Sequence, residues 1–236
     1  MEFPDPPWWW RIEAGYHRVR WETVRRLRRA LRRDGEFAAG ENSARARALS
    51  EAWSRQWQQT SIGQRELGRA APERHVRFHN LPMSKQYPDT ADEMAEVLRR
   101  QLQLIHTVLH GAPIESLTLI SPDWGSHSWG SGRFRKARPD AWPWRIDAPL
   151  PGEEDYEVPA YLWVDGFRSL EDLEGLLSRV AVEDSSRGEV APHLATEDCE
   201  WVLVPYPGGV DVFGPDPEAI AQLQAEHEDW LPAPHE

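Results

Sequence analysis

Histidines four residues apart are the groups in this chain best suited to chemistry, and they occur twice, as His75 with His79 and as His106 with His110. A pair of imidazoles on one side of a strand or helix can hold a transition metal if a carboxylate or a third imidazole comes alongside. Asp123 and His127, in Asp-Trp-Gly-Ser-His, are the best donors available, because they follow a buried apolar run and α/β sheets keep their sites at the carboxyl ends of strands. His79, Asp123 and His127 thus define one reading, a metal-dependent hydrolase. It is the weaker one, since no His-Glu-x-x-His or comparable spaced set is present. His110 falls in the last turn of its helix, where an imidazolium meets the helix dipole and needs no metal. Ser126 lacks the Gly-x-Ser-x-Gly frame of a nucleophile elbow. Gly125, Gly130 and Gly132 fit neither a dinucleotide loop nor a P-loop. Cys199 lies between Asp198 and Glu200 and reads as an inert buried thiol. With no complete catalytic set, no cofactor is expected, and the expectation leans away from an enzyme.

The polar residues Arg77, His79, Ser84, Lys85 and Tyr87 cluster in one short stretch, and they suit either a small anion-binding or partner-binding pocket or a fastening between two elements. The flanking elements are readable. Residues 75–79 alternate, with Val76 and Phe78 on one face and Arg77 and His79 on the other, as a strand with one wet side does. Thr90 and Glu93 form a capping box ahead of a long apolar arc that Gly111 and Pro113 close. Leu117 to Ile120 then reads as a strand buried on both faces. Strand, helix and buried strand together predict a right-handed parallel unit. Downstream come a strand at 160–164, a helix capped by Ser169, strands at 201–204 and 210–213 joined by a five-residue turn, and a last helix beginning at Asp216. Upstream, helices are expected at 16–33 and 43–58, the first rich in arginine. The predicted architecture is α+β or α/β: a mixed sheet of about five strands with flanking helices in residues 71–236, preceded by a helical section over 1–70. Residues 121–157 show no periodicity and carry four tryptophans, which reads as a long functional loop.

Charge is divided unevenly. Residues 1–146 carry 24 Lys and Arg against 17 Asp and Glu, whereas 147–236 carry 3 against 22, within a net charge of −12. A segment this acidic exceeds what solubility needs and repels itself, so it is expected to meet a basic surface. Glu153, Glu154, Asp155 and Glu157 are the expected charge contacts, with Trp142 and Trp144 as buried anchors. The arginine-rich helix at 16–33 could follow a nucleic-acid backbone, but the acidic segment would repel the same ligand, so nucleic acid is the third reading. Trp8, Trp9 and Trp10 suit a lid on the core or a partner anchor. One cysteine and no apolar run of about 20 residues lead to the expectation of a cytoplasmic protein without a membrane span. The oligomeric state is left open.

The stretch His75-Val-Arg-Phe-His-Asn-Leu-Pro-Met-Ser-Lys-Gln-Tyr87, with Pro205-Tyr-Pro-Gly-Gly-Val-Asp-Val212 and Asp229-Trp-Leu231, resembles a family of uncharacterised acidic bacterial proteins. That family is expected to read Trp-Val-Arg-Phe-His-Ser-Leu-Pro-x-Ser-Lys-Arg-Tyr and Tyr-x-Pro-Tyr-Asp-Gly-Gly-x-Asp-Val, and the likeness covers residues 20 to 231 approximately. His75 stands where tryptophan is expected and Pro207 where aspartate is, and the second departure weakens any reading of the 205–209 turn as a cation site. Such proteins look like the small antidotes found beside bacterial toxins. The leading expectation is therefore a non-enzymatic immunity protein (antitoxin) that neutralises a basic toxin, nucleases included, through its acidic carboxy-terminal surface.

Overall fold

In the computed structural model, residues 37, 40–123, 134, 136–147, 160–182 and 192–232 are described. Among the described residues two helices come first. Helix α1 (Ala44–Trp57) starts where the Ser43 hydroxyl accepts from the Ala46 N–H, and it buries Ala46, Leu49, Ala52, Trp53 and Trp57 on one face. Helix α2 (Gln64–Ala70) buries Leu67. Strand β1 (His75–His79) leads through a turn into α3 (Ala91–Leu109), whose Thr90 cap accepts from Glu93 N–H as the capping box requires. His110, left-handed at φ 49°, and Gly111 at φ 87° then end it. The rest comprises β2 (Thr118–Asp123), β3 (Trp142–Asp147), β4 (Ala160–Gly166), α4 (Leu170–Val182), β5 (His193–Ala195), β6 (Val202–Tyr206), β7 (Gly209–Phe213) and α5 (Pro217–Glu226).

Among the described residues the strands form a seven-stranded sheet in the order β1-β7-β6-β5-β2-β4-β3, and every neighbouring pair is antiparallel. The α+β class holds, but the sheet exceeds the five strands expected and is not mixed. Strands β1 and β2 do point the same way, yet β7, β6 and β5 lie between them, so they do not pair as a parallel unit. The inserted strands are buried on both faces and belong in the middle of a sheet. In β6, Leu203 joins one core while Val202 and Val204 join the other. The two added strands were hard to read for local reasons. Strand β5 is only three residues long, and β3 is an edge strand with Pro143 and a register shift between Pro143 and Ile146. Strand β3 falls inside the 121–157 stretch expected to be loop. The β6–β7 connection is tighter than expected: Tyr206 pairs with Gly209, leaving Pro207 and Gly208, whose φ of 96° the glycine supplies.

Each face of the sheet is covered. Helices α3, α4 and α5 close one core over Val76, Phe78, Leu119, Leu194, Leu203, Val210 and Val212. Helices α1 and α2 close the other over Ile120, Trp144, Leu162, Val164, Val202, Val204 and Phe213. Helix α1 therefore shares a core with the sheet. The arginine-rich stretch 16–33 and Trp8, Trp9 and Trp10 lie outside the described residues.

Candidate functional site

The two motif stretches meet in space. Register pairs Arg77 with Asp211 and His75 with Phe213, and strand alternation places His75, Arg77 and Asp211 on one face of the sheet. Asp211 is 1% exposed, between Val210 and Val212. Arg77 grips it with two parallel hydrogen bonds, Nε to Oδ1 at 2.9 Å and Nη2 to Oδ2 at 3.1 Å, and His75 Nε2 lies 3.2 Å from Oδ1. The guanidinium sits 5.5 Å from the Tyr206 ring centre, and the His75 ring stacks on Phe213 at 4.7 Å. Burial alone would raise the Asp211 carboxyl, but hydrogen bonds from His75 and Arg77 overcome this and hold it below the ordinary carboxylate value. The same hydrogen bond raises Arg77 further. Tyr206 is pushed up to about 12, by burial first and by the charge of Asp211 second. Near neutrality Arg77 and Asp211 therefore form a fixed ion pair beside the neutral Tyr206 phenol. It is a clamp, and Gly209 lets its strands close: a Cβ there would lie 2.6 Å from the Phe78 carbonyl oxygen.

A second set of contacts locks the turn that follows β1. Asn80, 2% exposed, donates its N–H to Gly208 O at 2.9 Å, while its Oδ1 accepts from Gln101 Nε2 at 3.0 Å. Arg100 Nη1 donates to His79 O at 3.0 Å. Beyond the turn, Lys85 Nζ donates to Glu93 at 2.6 and 2.7 Å and pairs with Asp89 at 2.8 Å. Gln86 Nε2 donates to the Tyr87 hydroxyl at 3.2 Å. Between these braces, Met83 and Ser84 hold consecutive left-handed conformations, φ 54° and 55°, each costing roughly 1–2 kcal/mol in a residue with a Cβ. Met83 is 97% exposed.

The other predicted positions scatter. His79 and Asp123 sit on β1 and β2, four strand spacings apart, roughly 19 Å at ~4.8 Å per spacing. They cannot share one ion, and His127 lies outside the described residues. Among the described residues, no three His, Cys, Asp or Glu side chains are grouped to hold a metal. His106 and His110 are both exposed. Cys199 is buried, and desolvation, with Asp198 second, pushes its thiol up to about 12. Trp144 is fully buried: its Nε1 donates to Ser50 Oγ at 2.9 Å and its ring meets Trp53 edge-on. That makes it a core residue, correcting the expectation of a surface anchor. Trp142 is partly exposed beneath the Arg45 guanidinium at 4.5 Å. Glu153, Glu154, Asp155 and Glu157 lie outside the described residues. Asp211 went unassigned in the sequence, although a lone aspartate between valines in a two-faced strand was the available signal.

Within the acidic segment Asp147 is buried beside Arg145, and Asp165 and Asp172 are half-buried against Arg138, whereas most of the described carboxylates after residue 189 are exposed. No Lys or Arg occurs from Glu189 to Glu236. Glu197, Asp198, Asp216, Glu218, Glu226, Glu228 and Asp229 are all exposed, whereas Glu200 is half-buried and Asp211 is itself buried against the half-exposed Arg77. Glu226, Glu228 and Asp229 gather at the carboxyl end of α5, where helix carbonyls already carry partial negative charge. No helix among the described residues is long and apolar enough to cross a membrane.

Comparison with curated proteins and with solved structures returned no match. Residues 64–234, which take in β1, the braced turn, the Arg77–Asp211 clamp and the acidic helix, match a domain of unknown function, and the chain belongs to that family, DUF3885.

Proposed function

We propose that this protein is a non-enzymatic binding protein of the immunity type, whose acidic carboxy-terminal surface holds a basic toxin inactive. The observation that carries the reading is the run of exposed carboxylates after residue 189 without a compensating Lys or Arg. Self-repulsion and the helix dipole both make these charges costly in the free protein. A basic partner would offset both terms, and complementary fields would speed encounter. Glu153, Glu154, Asp155 and Glu157 belong to this proposal through the chain alone. The Arg77–Asp211 clamp supports the surface as a frame, with its charge internally neutralised.

The test compares the wild-type chain with a variant carrying Glu218→Lys, Glu226→Lys, Glu228→Lys and Asp229→Lys, all at exposed positions, with unchanged circular dichroism as the folding control. Bait from the producing cells is washed with rising salt, and each eluted protein is made recombinantly. The expected partner is basic, arrests growth when produced alone, and is relieved by wild-type protein. Its affinity should fall at least about tenfold on charge reversal and on raising salt. Equal affinity for both forms overturns the reading.

A further inference from the structure

Met83 is held out of the protein by a turn that contributes nothing to burying it. Its side chain is 97% exposed, and both Met83 and Ser84 occupy left-handed backbone that glycine would adopt without strain. Such strain persists only where surrounding structure imposes it, and here the braces are visible. Leu81, 2% exposed, anchors the entry to the turn in a small core with Val97 and Ala181. Asn80 is tied to Gly208 and Gln101 on one side, and Lys85 to Asp89 and Glu93 on the other. Lys85 N–H reaches back to Pro82 O at 3.4 Å. Folding energy from both flanks thus goes into presenting one unbranched thioether side chain to solvent.

We infer that Met83 is the apolar anchor of the partner interface, inserting into a hydrophobic pocket with a basic rim on the partner protein. Methionine suits this because it is flexible and polarisable and fills irregular apolar gaps. Methionine is enriched at protein interfaces, where the residues that carry the energy are ringed by contacts that exclude water. Charge commits the rim: on the exposed side of the turn Lys85 stands among Asp89, Asp92 and Glu93, with Asp89 76% exposed at its side chain, while Arg100 behind it is buried and paired with Glu96. The same carboxylates disfavour an anionic membrane surface. The inference rests on the proposed binding of a basic protein and adds to it the specific residue that enters the partner.

A diazirine-bearing amino acid is placed at position 83 of the full chain in the producing cells, and at exposed Glu51 on α1 as control. Irradiation is expected to join position 83, and not position 51, to one basic protein within an apolar cavity of that protein. Unlabelled wild-type protein and Met83→Leu should compete for that adduct about tenfold or more better than Met83→Gly, the span expected for burying one apolar side chain. Met83→Gly relieves the left-handed strain, so an unchanged or raised urea midpoint separates lost contact from lost folding. Identical adducts from positions 83 and 51, or equal competition by Met83→Gly, overturn the anchor. If charge reversal on α5 abolishes capture while Met83→Gly does not, the acidic-surface reading stands and the anchor falls; if neither alters capture, both fall.

Discussion

Replacing Arg77 with methionine and, separately, Asp211 with asparagine should destabilise the protein unequally, although both changes break the same ion pair. The two side chains differ in access to water: Arg77 is 49% exposed and Asp211 1%. In Arg77→Met the carboxylate is left in the sheet with His75 at 3.2 Å as its remaining partner. Stranding one member of a buried pair costs about 3–5 kcal/mol, and His75 places the expectation near the lower end, ~3 kcal/mol. In Asp211→Asn the guanidinium keeps water on its open side and the amide oxygen still accepts one of its two hydrogen bonds, so the loss is one bond and the charge assistance of the other, screened by solvent. About 1–2 kcal/mol is expected. The double variant should cost less than the sum of the two singles, with a coupling of roughly 1–2 kcal/mol. Urea unfolding at pH 7, followed by tryptophan fluorescence, reads all four proteins, and at typical urea slopes ~3 kcal/mol moves the midpoint by about 1 M or more. Equal losses, a larger loss for Asp211→Asn, or strict additivity would refute the clamp.

Trp144→Ala should cost about 3–5 kcal/mol in the same assay, because a fully buried indole leaves a cavity and orphans Ser50; a loss under ~1 kcal/mol would mean that the ring is not in the core. Cys199 should resist a thiol reagent at pH 8 in native protein and react on unfolding, since its thiol titrates at about 12 and is buried. Prompt native reaction would contradict its placement. Glu96, held down to about 2 first by its hydrogen bond with Arg99 and also by that with Arg100, should contribute stability that is present above the ordinary glutamate value and lost as pH falls toward 2. Glu96→Gln should therefore lose less stability than wild type between about pH 5 and 2. Parallel curves would exclude that role.

Local signals were sufficient for α3, with its Thr90–Glu93 box, long apolar arc and Gly111 stop, and for the alternation of His75–His79. They also placed the polar motif between a strand and a helix and showed the acidic bias of the last 90 residues, since composition and short-range spacing are properties of the chain alone. Which strand lies beside which was a different matter. The pairing of 75–79 with 209–213 joins segments over 130 residues apart, and no local preference encodes it. That pairing alone makes Asp211 the buried counterion of Arg77, and the strand order alone parts His79 from Asp123. Trp144 and Met83 show the same division from opposite sides. An indole in a Pro-rich stretch and a thioether in a turn give equal reason to expect burial or display. Only packing decided that α1 covers the first and that a braced, left-handed turn holds out the second, because burial depends on neighbours contributed by distant parts of the chain.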